Sequence, residues 1–340
     1  PLSGALARKV FKNSLGINPE EAFTSFEKES IYAASIGQVH VAQLNEEKLA
    51  VKIQYPGVAE SIISDLKLVK PIALRMMKLK SDEVEDLFKE VQDKLLEETN
   101  YNIEVTNLAD ARELSNSFNK VLIPKVYSAL SSRKIITMEW MEGLHLSEYN
   151  DQEQLQSKRN EVAQNLWDFY MFHIHKHKKV HADPHPGNFK VNSNNDLVVL
   201  DFGCMKEIPS EFYTSFFKLA EIKNIENDSL FTEALHELDI INIADSENDI
   251  KLIKSVFKKM LTIINKPFQF EEFNFSSPEY FKELLLLGNQ LKDDKSLKSL
   301  NGKRGSKHFV YVNRTLIGLL GLMNSLNAGN VKVNNYKEYV

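Results

Sequence analysis

The segment His181-Ala182-Asp183-Pro184-His185-Pro186-Gly187-Asn188 is followed, 12 residues on, by Leu200-Asp201-Phe202-Gly203. Two prolines and a glycine predict that the first segment is a rigid, non-helical loop, because proline fixes φ and removes a backbone donor. The loop carries the carboxylate of Asp183 and, five residues later, the amide of Asn188. A second carboxylate, Asp201, comes 13 residues after Asn188, at the end of an apolar strand.

This order of two carboxylates and an amide is typical of phosphoryl-transfer sites. Mg²⁺ prefers oxygen ligands, and a further carboxylate has to face the acceptor hydroxyl or water. The catalytic loop of protein kinases has an aspartate, an asparagine five residues on, and a later Asp-Phe-Gly segment. Asp183, Asn188 and Asp201 repeat that arrangement, and the combined spacing is a much stronger signal than any one motif.

A lysine on a strand is the second feature that such a site requires. Val39–Leu44 and Leu49–Gln54 predict a hairpin around the turn 45–47, and Lys52 lies in its second strand. Taken alone, Lys52 is equally well explained as a solubilising residue of an edge strand. The downstream loop favours the functional interpretation.

A long amphipathic helix is predicted after the hairpin, because apolar residues recur at i, i+3, i+4 and i+7 from Val84 onward. We expect it to continue past residue 104, to about Leu114. Three of its glutamates could anchor Lys52, and spacing alone does not choose between them: Glu97, Glu98 and Glu104.

Composition sets outer limits on the protein class. The 340 residues include 42 Lys and Arg against 47 Asp and Glu, 43% are hydrophobic, and there is one cysteine. These values exclude a disordered chain, a disulfide framework and a cysteine-rich zinc site, and the net charge of −5 argues against a nucleic-acid binder. The apolar runs are too short for a membrane-spanning helix, which needs about 20 apolar residues.

The order of the elements predicts an α+β fold with two lobes. Strands dominate the first part of the chain after an opening helix, and helical periodicity dominates from Pro209 almost to the end. We therefore expect a small strand-rich lobe at 1–142 and a larger helical lobe at 143–340.

Two further segments give the chain a family resemblance: Ala33-Ala34-Ser35-Ile36-Gly37-Gln38-Val39-His40 and Val51-Lys52-Ile53-Gln54-Tyr55-Pro56-Gly57. Together with 181–188 and 200–203, they resemble the UbiB/AarF family of atypical protein-kinase-like proteins over essentially the whole chain. The resemblance implies a two-lobed protein-kinase-like fold that binds ATP with Mg²⁺ and has ATPase activity. Members support ubiquinone biosynthesis or wider lipid homeostasis, often at membranes.

The resemblance also implies a role for each matching residue. Lys52 corresponds to the phosphate-binding lysine and Glu104 to its helix partner. Asp183 corresponds to the proposed catalytic base, and Asn188 and Asp201 to the Mg²⁺ ligands.

Nucleotide contacts are implied at two other places. The alanine-rich segment replaces the glycine-rich loop of kinases, so a stiffer loop is expected over the nucleotide, since alanine restricts φ and ψ. Met138–Glu142 resembles the segment whose backbone binds adenine. The implied contact residues are Ala33, Ala34, Ser35, Gly37 and Gln38 in the loop, with Glu139 and Met141 in the adenine segment.

The chain departs from the family pattern at two places. The family has a Glu-x-Asp motif on the long helix, whereas this chain has Glu98-Thr99-Asn100. The family's Lys-x-Gly-Gln motif is not found before Ala33. We expect the given sequence to begin just after that motif, which would leave the site more open.

Three other functions stay open at the level of sequence. The histidines around 173–185 could hold zinc, but two arguments favour other roles. His181 and His185 lie among prolines that fit the kinase-like loop. His173, His175 and His177 are expected on one helix, where alternate positions point in different directions. A small-molecule phosphotransferase of the aminoglycoside or choline kinase type shares the loop pattern but lacks the alanine-rich segment. A pseudokinase scaffold would bind nucleotide without turnover.

The expected partners follow from the resemblance. They are ATP or ADP, a lipid or quinone-related ligand, a membrane surface contacted peripherally, and a partner in a biosynthetic complex; no nucleic acid is expected. The location is expected to be cytoplasmic or peripheral to a membrane. Phe268–Phe275 and Phe281–Leu287 could dock on lipid, but core packing is the favoured interpretation.

Overall fold

The computed structural model describes residues 2–77, 81–152, 155–293 and 304–339. The chain forms two compact units. Unit 1 consists of Pro1–Phe118, Leu122–Glu142 and Leu200–Cys204, and unit 2 consists of Asn119–Val121, Gly143–Val199 and Met205–Val340. The short segment around Asp201 therefore belongs to the same unit as the predicted lysine strand, although it lies far from that strand in the sequence.

Unit 1 combines an antiparallel sheet with helices. Its helices are α1 (Gly4–Leu15), α2 (Pro19–Ala22), α3 (Val58–Met77), α4 (Ser81–Glu98) and α5 (Tyr101–Leu114). The strands of this unit's sheet are β1 (Ser25–Phe26), β2 (Tyr32–Ala33), β3 (Gly37–Leu44), β4 (Glu47–Gln54) and β6 (Ile135–Glu139). The strand between β4 and β6 in the chain, β5 (Val121–Leu122), belongs to a separate four-stranded sheet.

The sheet of unit 1 has the order β1-β3-β4-β6, with β2 paired to β3. The predicted hairpin is β3 and β4, and Asn45 in its turn has a φ of 56°, a conformation that asparagine tolerates well. One face of the sheet packs on α1 through a buried cluster that includes Phe11, Leu49 and Ile53. This core fixes β4, the strand that carries Lys52.

The predicted long helix is broken, so the expectation of one helix as far as Leu114 is wrong. α4 ends at Glu98 and α5 begins at Tyr101. Asn100 is the N-cap of α5, and its side-chain oxygen accepts a hydrogen bond from the amide of Asn102 at 3.3 Å. An asparagine side chain competes with the helical backbone in this way, which favours a helix start over a helix interior.

Unit 2 is mainly helical. Its helices are α6 (Leu146–Gln152), α7 (Gln156–His175), α8 (Ser210–Lys218), α9 (Ile222–Glu226), α10 (Asp228–Glu237), α11 (Glu247–Ile264), α12 (Pro278–Asp293) and α13 (Lys307–Ser325). Its strands are β7 (Leu144–His145), β8 (Lys179–His181), β9 (Phe189–Val191), β10 (Leu197–Val199), β11 (Met205–Glu207), β12 (Glu272–Phe273) and β13 (Val331–Lys332).

The loop 181–188 connects two short strands, β8 and β9, and follows the buried helix α7 in the chain. α7 is buried on all sides over its second half, and β8 follows it and pairs with β11. The loop then forms a short 3₁₀ turn at Pro186–Asn188 and enters β9, which lies between β7 and β10. α7 ends at His175, so His177, expected on the same helix as His173 and His175, lies beyond its end.

The aromatic segments of unit 2 divide between core and surface. Phe268, Phe275 and Leu287 are buried, whereas Phe270 and Leu285 are exposed. Part of each segment therefore packs in the core. In the described ranges, we find no helix that is both long and apolar enough to cross a membrane.

Candidate functional site

The centre of the site in unit 1 is a buried ion pair. Lys52 Nζ donates to both carboxylate oxygens of Glu104, each at 3.0 Å, and to Asp201 Oδ2 at 3.3 Å. The side chains of Lys52 and Glu104 are only 11% and 7% exposed, whereas that of Asp201 is 35% exposed. Of the three glutamates that the sequence offered as partners, the fold brings Glu104 to Lys52, because the break after Glu98 puts Glu104 in the first turn of α5.

Burial and neighbouring charge act in opposite directions on this pair. Burial by itself would lower the pKa of Lys52, but the carboxylates of Glu104 and Asp201 outweigh it and raise that pKa above its usual range. Burial raises the pKa of Glu104 to about 7, with the charge of Lys52 opposing and that of Asp201 adding. Lys52 is therefore charged at neutral pH.

Tyr101 is a member of the cluster that sequence reasoning missed. Its ring is 2% exposed, and Lys52 Nζ lies 5.0 Å from the ring centroid, within cation–π range. A Cβ on Gly37 would lie 2.5 Å from the carbonyl oxygen of Ile53 and 3.0 Å from the hydroxyl of Tyr101. Gly37 is thus required by the close packing of β3, β4 and α5. The sequence did contain one indication of its position: Tyr101 directly follows Asn100, a residue type that favours the start of a helix.

The segment that carries Asp201 is held by a turn of its own and by side chains of α5 and β4. Asp201 Oδ1 accepts from the amide of Gly203 at 2.9 Å, which closes a tight turn. Phe202 is fully buried, and its carbonyl accepts from Asn107 Nδ2 at 2.9 Å. Asn107 and Lys52 therefore position the Asp201 turn together, and Asn107 is a second residue that the sequence did not indicate.

The alanine-rich segment has an exposed part and a buried part. Ala33 and Ser35 are exposed, and the amide of Ala34 donates to the carbonyl of Gly37 at 2.8 Å. Gln38 is fully buried. Its side chain accepts from the amide of Leu2 at 2.5 Å and lies 2.8 Å from His40 Nε2, so this side chain has structural partners.

The predicted adenine-binding segment follows β6. The amide of Glu139 donates to the carbonyl of Lys125 at 2.8 Å, and the amide of Trp140 donates to Lys48 at 3.0 Å. The carboxylate of Glu139 accepts from the amide of Lys125 at 3.0 Å. An adenine contact at this segment would therefore have to use other backbone groups, such as those of Met141.

The site in unit 2 is built on the loop 181–188. Asn188 Nδ2 donates to Asp183 Oδ2 at 2.9 Å and to the carbonyl of Asp183 at 3.0 Å. Arg314 Nη2, from α13, lies 3.5 Å from Asp183 Oδ1, and the two side chains are 59% and 43% exposed. Sequence reasoning brought Asp183 and Asn188 together through their spacing but missed Arg314, because no local pattern connects α13 to the loop.

α13 also packs directly against the backbone of this loop. The hydroxyl of Thr315 donates to the carbonyl of His181 at 3.5 Å. A Cβ on Gly318 would lie 2.1 Å from Pro184 Cγ. The loop therefore depends on a glycine far along the chain for its position.

The histidines near the loop have structural partners. His175 Nδ1 lies 2.7 Å from the hydroxyl of Tyr213, and His185 Nδ1 accepts from the amide of Gly187 at 3.1 Å. Burial lowers the pKa of both His173 and His175 to about 3. Among the described residues, no group of three or more His, Cys, Asp or Glu side chains is arranged to hold a metal ion. The predicted Mg²⁺ ligands, Asn188 and Asp201, are one amide and one carboxylate, so this absence does not bear on them.

Comparison with known proteins places this arrangement in a family. The family model described as the ABC1 atypical kinase-like domain matches residues 1–230, about two thirds of the chain. The chain belongs to this family. An ABC1 family protein of Schizosaccharomyces pombe is 34% identical over 208 residues, covering 57% of this chain and 38% of that protein. AarF domain-containing protein kinase 1 of Xenopus tropicalis is 31% identical over 221 residues, covering 62% and 42%.

Further relatives come from plant chloroplasts. The protein named ACTIVITY OF BC1 COMPLEX KINASE 8 of Arabidopsis thaliana is 32% identical over 219 residues, covering 61% of this chain and 28% of that protein. The ABC1 chain thus spans about a third of the length of the curated relatives that it matches. Two relatives, of Dictyostelium discoideum and Xenopus tropicalis, are named as protein kinases.

A solved structure confirms the fold class. The Rv3197–erythromycin complex from Mycobacterium tuberculosis superposes with a TM-score of 0.76, covering 99% of this chain and 83% of that chain at 22% identity. The predicted two-lobed α+β protein-kinase-like fold is therefore confirmed, as is the predicted family.

Proposed function

We propose that this ABC1-family chain binds a Mg²⁺–nucleotide and transfers the terminal phosphoryl group of ATP to an acceptor or to water. The observation that supports this most is the Lys52–Glu104 ion pair with Asp201 at 3.3 Å from the same Nζ. A kinase-like site requires a strand lysine paired with a helix glutamate and a metal-binding aspartate nearby. A structural ion pair alone would not require a second carboxylate, that of Asp201, which is 35% exposed.

Each residue has a defined part in this proposal. Glu104 orients the ammonium group of Lys52, which binds the phosphates. Asn188 and Asp201 supply the amide and carboxylate oxygens that suit Mg²⁺. The metal ion would neutralise charge on the phosphates.

Asp183 orients the attacking hydroxyl or water. Its carboxylate is fixed by Asn188 at 2.9 Å and remains 43% exposed, so it is accessible to an acceptor. Ala33, Ala34 and Ser35, with the backbone of Gly37 and Gln38, form the cover over the nucleotide. Backbone groups near Glu139 and Met141 bind its base.

The wider role belongs to the same proposal. Family resemblance supports a function in quinone biosynthesis or lipid homeostasis, with a quinone-related or lipid ligand and peripheral membrane contact. The BC1 complex named in the plant relatives supports a partner in a multiprotein assembly. Phosphotransfer to a small molecule and nucleotide binding without turnover remain the alternative functions.

The test is a thermal-shift titration of the full chain with ATP and ADP, with and without Mg²⁺. Asp201→Asn is the test variant, and Asp110→Asn, at an exposed position on α5, is the matched control. A ligand at 100 times its Kd adds about 2.7 kcal/mol to the free energy of unfolding, which gives an easily measured shift. We expect a Mg²⁺-dependent shift in the native chain and the control, and its loss in Asp201→Asn.

The alternatives give different results in the same experiment. Release of phosphate from ATP, abolished in Asp183→Asn while the shift persists, supports the enzyme. A Mg²⁺-dependent shift with no turnover supports the scaffold. A shift with Zn²⁺ alone, and none with nucleotide, would contradict the proposal.

A further inference from the structure

Unit 1 contains a cavity of about 330 Å³ that the proposed nucleotide site does not use. It lies between the last turns of α1, the proline that follows β4, and the turn that precedes β6. Its wall is formed by Val10, Asn13 and Ser14 of α1 and by Ser132, Arg133 and Lys134 of the turn. The volume is at the lower end of the range for small-molecule sites.

The charge of this wall has one sign. Arg133 and Lys134 carry two full positive charges, and none of the described residues that line the cavity is a carboxylate. The C-terminus of α1 contributes only about half a negative charge, and Lys12 in its last turn opposes it. The net field in the cavity therefore favours an anion.

The remaining wall residues suit a short polar molecule. Asn13, Ser14 and Ser132 provide one amide and two hydroxyl groups as hydrogen-bond donors. Val10 is 7% exposed and gives one apolar surface. A molecule with a few carbon atoms, hydroxyl groups and one anionic group matches this combination.

The cationic turn is fixed by the backbone. Ser132 and Ile135 exchange two backbone hydrogen bonds, at 2.8 and 3.2 Å. The carbonyl of Arg133 accepts from the amide of Tyr101, and that of Lys134 accepts from the amide of Gln54, both at 3.0 Å. The side chains of Arg133 and Lys134 are exposed, so they approach the cavity from its rim and lose only side-chain freedom when they bind an anion. A guanidinium can bind phosphate or carboxylate through two hydrogen bonds.

The same hydrogen bonds connect the cavity to the ion-pair cluster. Tyr101 is the first residue of α5, its ring lies beside Lys52, and Glu104 is one turn further on. A ligand bound to the Arg133 side chain would also stabilise the turn whose carbonyl accepts a hydrogen bond from the first amide of α5.

We propose that this cavity is a binding site for a small organic anion with a phosphate or carboxylate group, and that its occupancy stabilises the N-terminus of α5. Binding there requires no nucleotide, so it stands apart from the proposed function. An effect of the anion on nucleotide affinity would rest on that function.

The experiment is isothermal titration of the full chain with glycerol 3-phosphate, glycerate and glycerol. The two anions share a three-carbon skeleton and differ in the anionic group, and glycerol has none. We expect binding of at least one anion and none of glycerol. Binding of both anions, of the phosphate alone or of the carboxylate alone supports the site and identifies its preference.

Variants locate the binding. Arg133→Gln/Lys134→Gln should weaken the anion about tenfold or more, since two charge-assisted contacts are lost. Lys9→Gln/Lys67→Gln, at exposed positions of α1 and α3, makes the same change in net charge and should leave binding unchanged. Ser14→Trp should abolish binding by filling the cavity without changing the charge. Equal weakening in the control pair, or unchanged binding in Ser14→Trp, would overturn the proposal.

Hydrogen exchange tests the connection to α5. The anion should slow exchange of the Tyr101 amide, which donates to Arg133, and should not change that of Asn227, at the N-cap of α10 in unit 2. If the anion binds and exchange at Tyr101 is unaltered, the stabilisation of α5 is excluded.

Discussion

The ion pair of Lys52 with Glu104 and that of Asp183 with Arg314 differ in burial and in the distance between their charges. In unit 1, Lys52 and Glu104 are buried and each contacts a charged partner at 3.0 Å. In unit 2, Asp183 and Arg314 are half-exposed and lie 3.5 Å apart. A buried charge is stable only with its partner, whereas an exposed one is solvated without it. The first region therefore depends on its ion pair for stability, and the second can exchange partners at little cost.

The largest expected effect is the loss of one partner of the buried pair. Glu104→Gln should cost about 3 kcal/mol in the free energy of unfolding, at the lower end of the range for a broken buried pair, because Lys52 stays buried and keeps only the partly exposed Asp201, at 3.3 Å, as a countercharge. Unit 1 contains Trp140 and unit 2 contains Trp167. Urea unfolding followed by Trp140 fluorescence, in a Trp167→Phe background, measures the loss in unit 1.

The matched control for this prediction is Glu113→Gln, at an exposed position of the same helix. It should change the free energy by less than about 0.5 kcal/mol. Lys52→Met/Glu104→Leu should recover part of the loss, since neither buried charge remains. A cost below about 1 kcal/mol for Glu104→Gln would show that the pair is solvated.

The second expected effect is a pH dependence in unit 2 that comes from buried histidine. The folded-state pKa of His173 is about 3, below its unfolded value of about 6.5. The unfolded chain binds the proton more tightly, so this stability is present above pH 6.5 and is lost progressively as pH falls toward 3. The slope for one group is about 1.4 kcal/mol per pH unit.

His173→Phe should remove that contribution. Between pH 6.5 and 4.5, the free energy of unfolding should fall by about 2.3 kcal/mol less in the variant than in the native chain. Trp167 fluorescence in a Trp140→Phe background measures it. His236→Phe, at an exposed position of α10, is the control, and equal pH slopes for native chain and His173→Phe would contradict the assignment.

A smaller effect concerns the helix that supports the loop of Asp183. Gly318→Ala should cost about 1–3 kcal/mol, since the added methyl group would lie 2.1 Å from the ring of Pro184. Gly321→Ala on the same helix meets no atom within 4 Å and should stabilise α13 by up to about 1 kcal/mol. Equal effects of the two substitutions on thermal stability would rule out the close contact.

The smallest effect belongs to the exposed pair. Arg314→Gln should change the free energy of unfolding by less than about 1 kcal/mol, because both side chains are well solvated. Any effect should disappear in 1 M NaCl, where the Debye length is about 3 Å. A loss of more than 2 kcal/mol in urea unfolding would mean that the two regions do not differ in the way described.

Much of the candidate site could be predicted from local sequence. Asp183, Asn188 and Asp201 were indicated by their spacing, and Lys52 by the strand that carries it. Their roles remain predictions. Tyr101, Asn107 and Arg314 were not found, because each acts through a contact with a residue distant in sequence.

The sequence by itself determined the local structure of the motifs and the family. Prolines and a glycine make 181–188 a rigid loop, and alternation of apolar residues makes β3 and β4 a hairpin, since both follow from short-range sterics and periodicity. Spacing left three glutamates open as the partner of Lys52 and the family resemblance implied Glu104, but only the tertiary structure decided the contact itself. Asn100 lies between the end of α4 and the start of α5. The direction of α5 is set by long-range packing, which the periodicity of apolar residues does not predict.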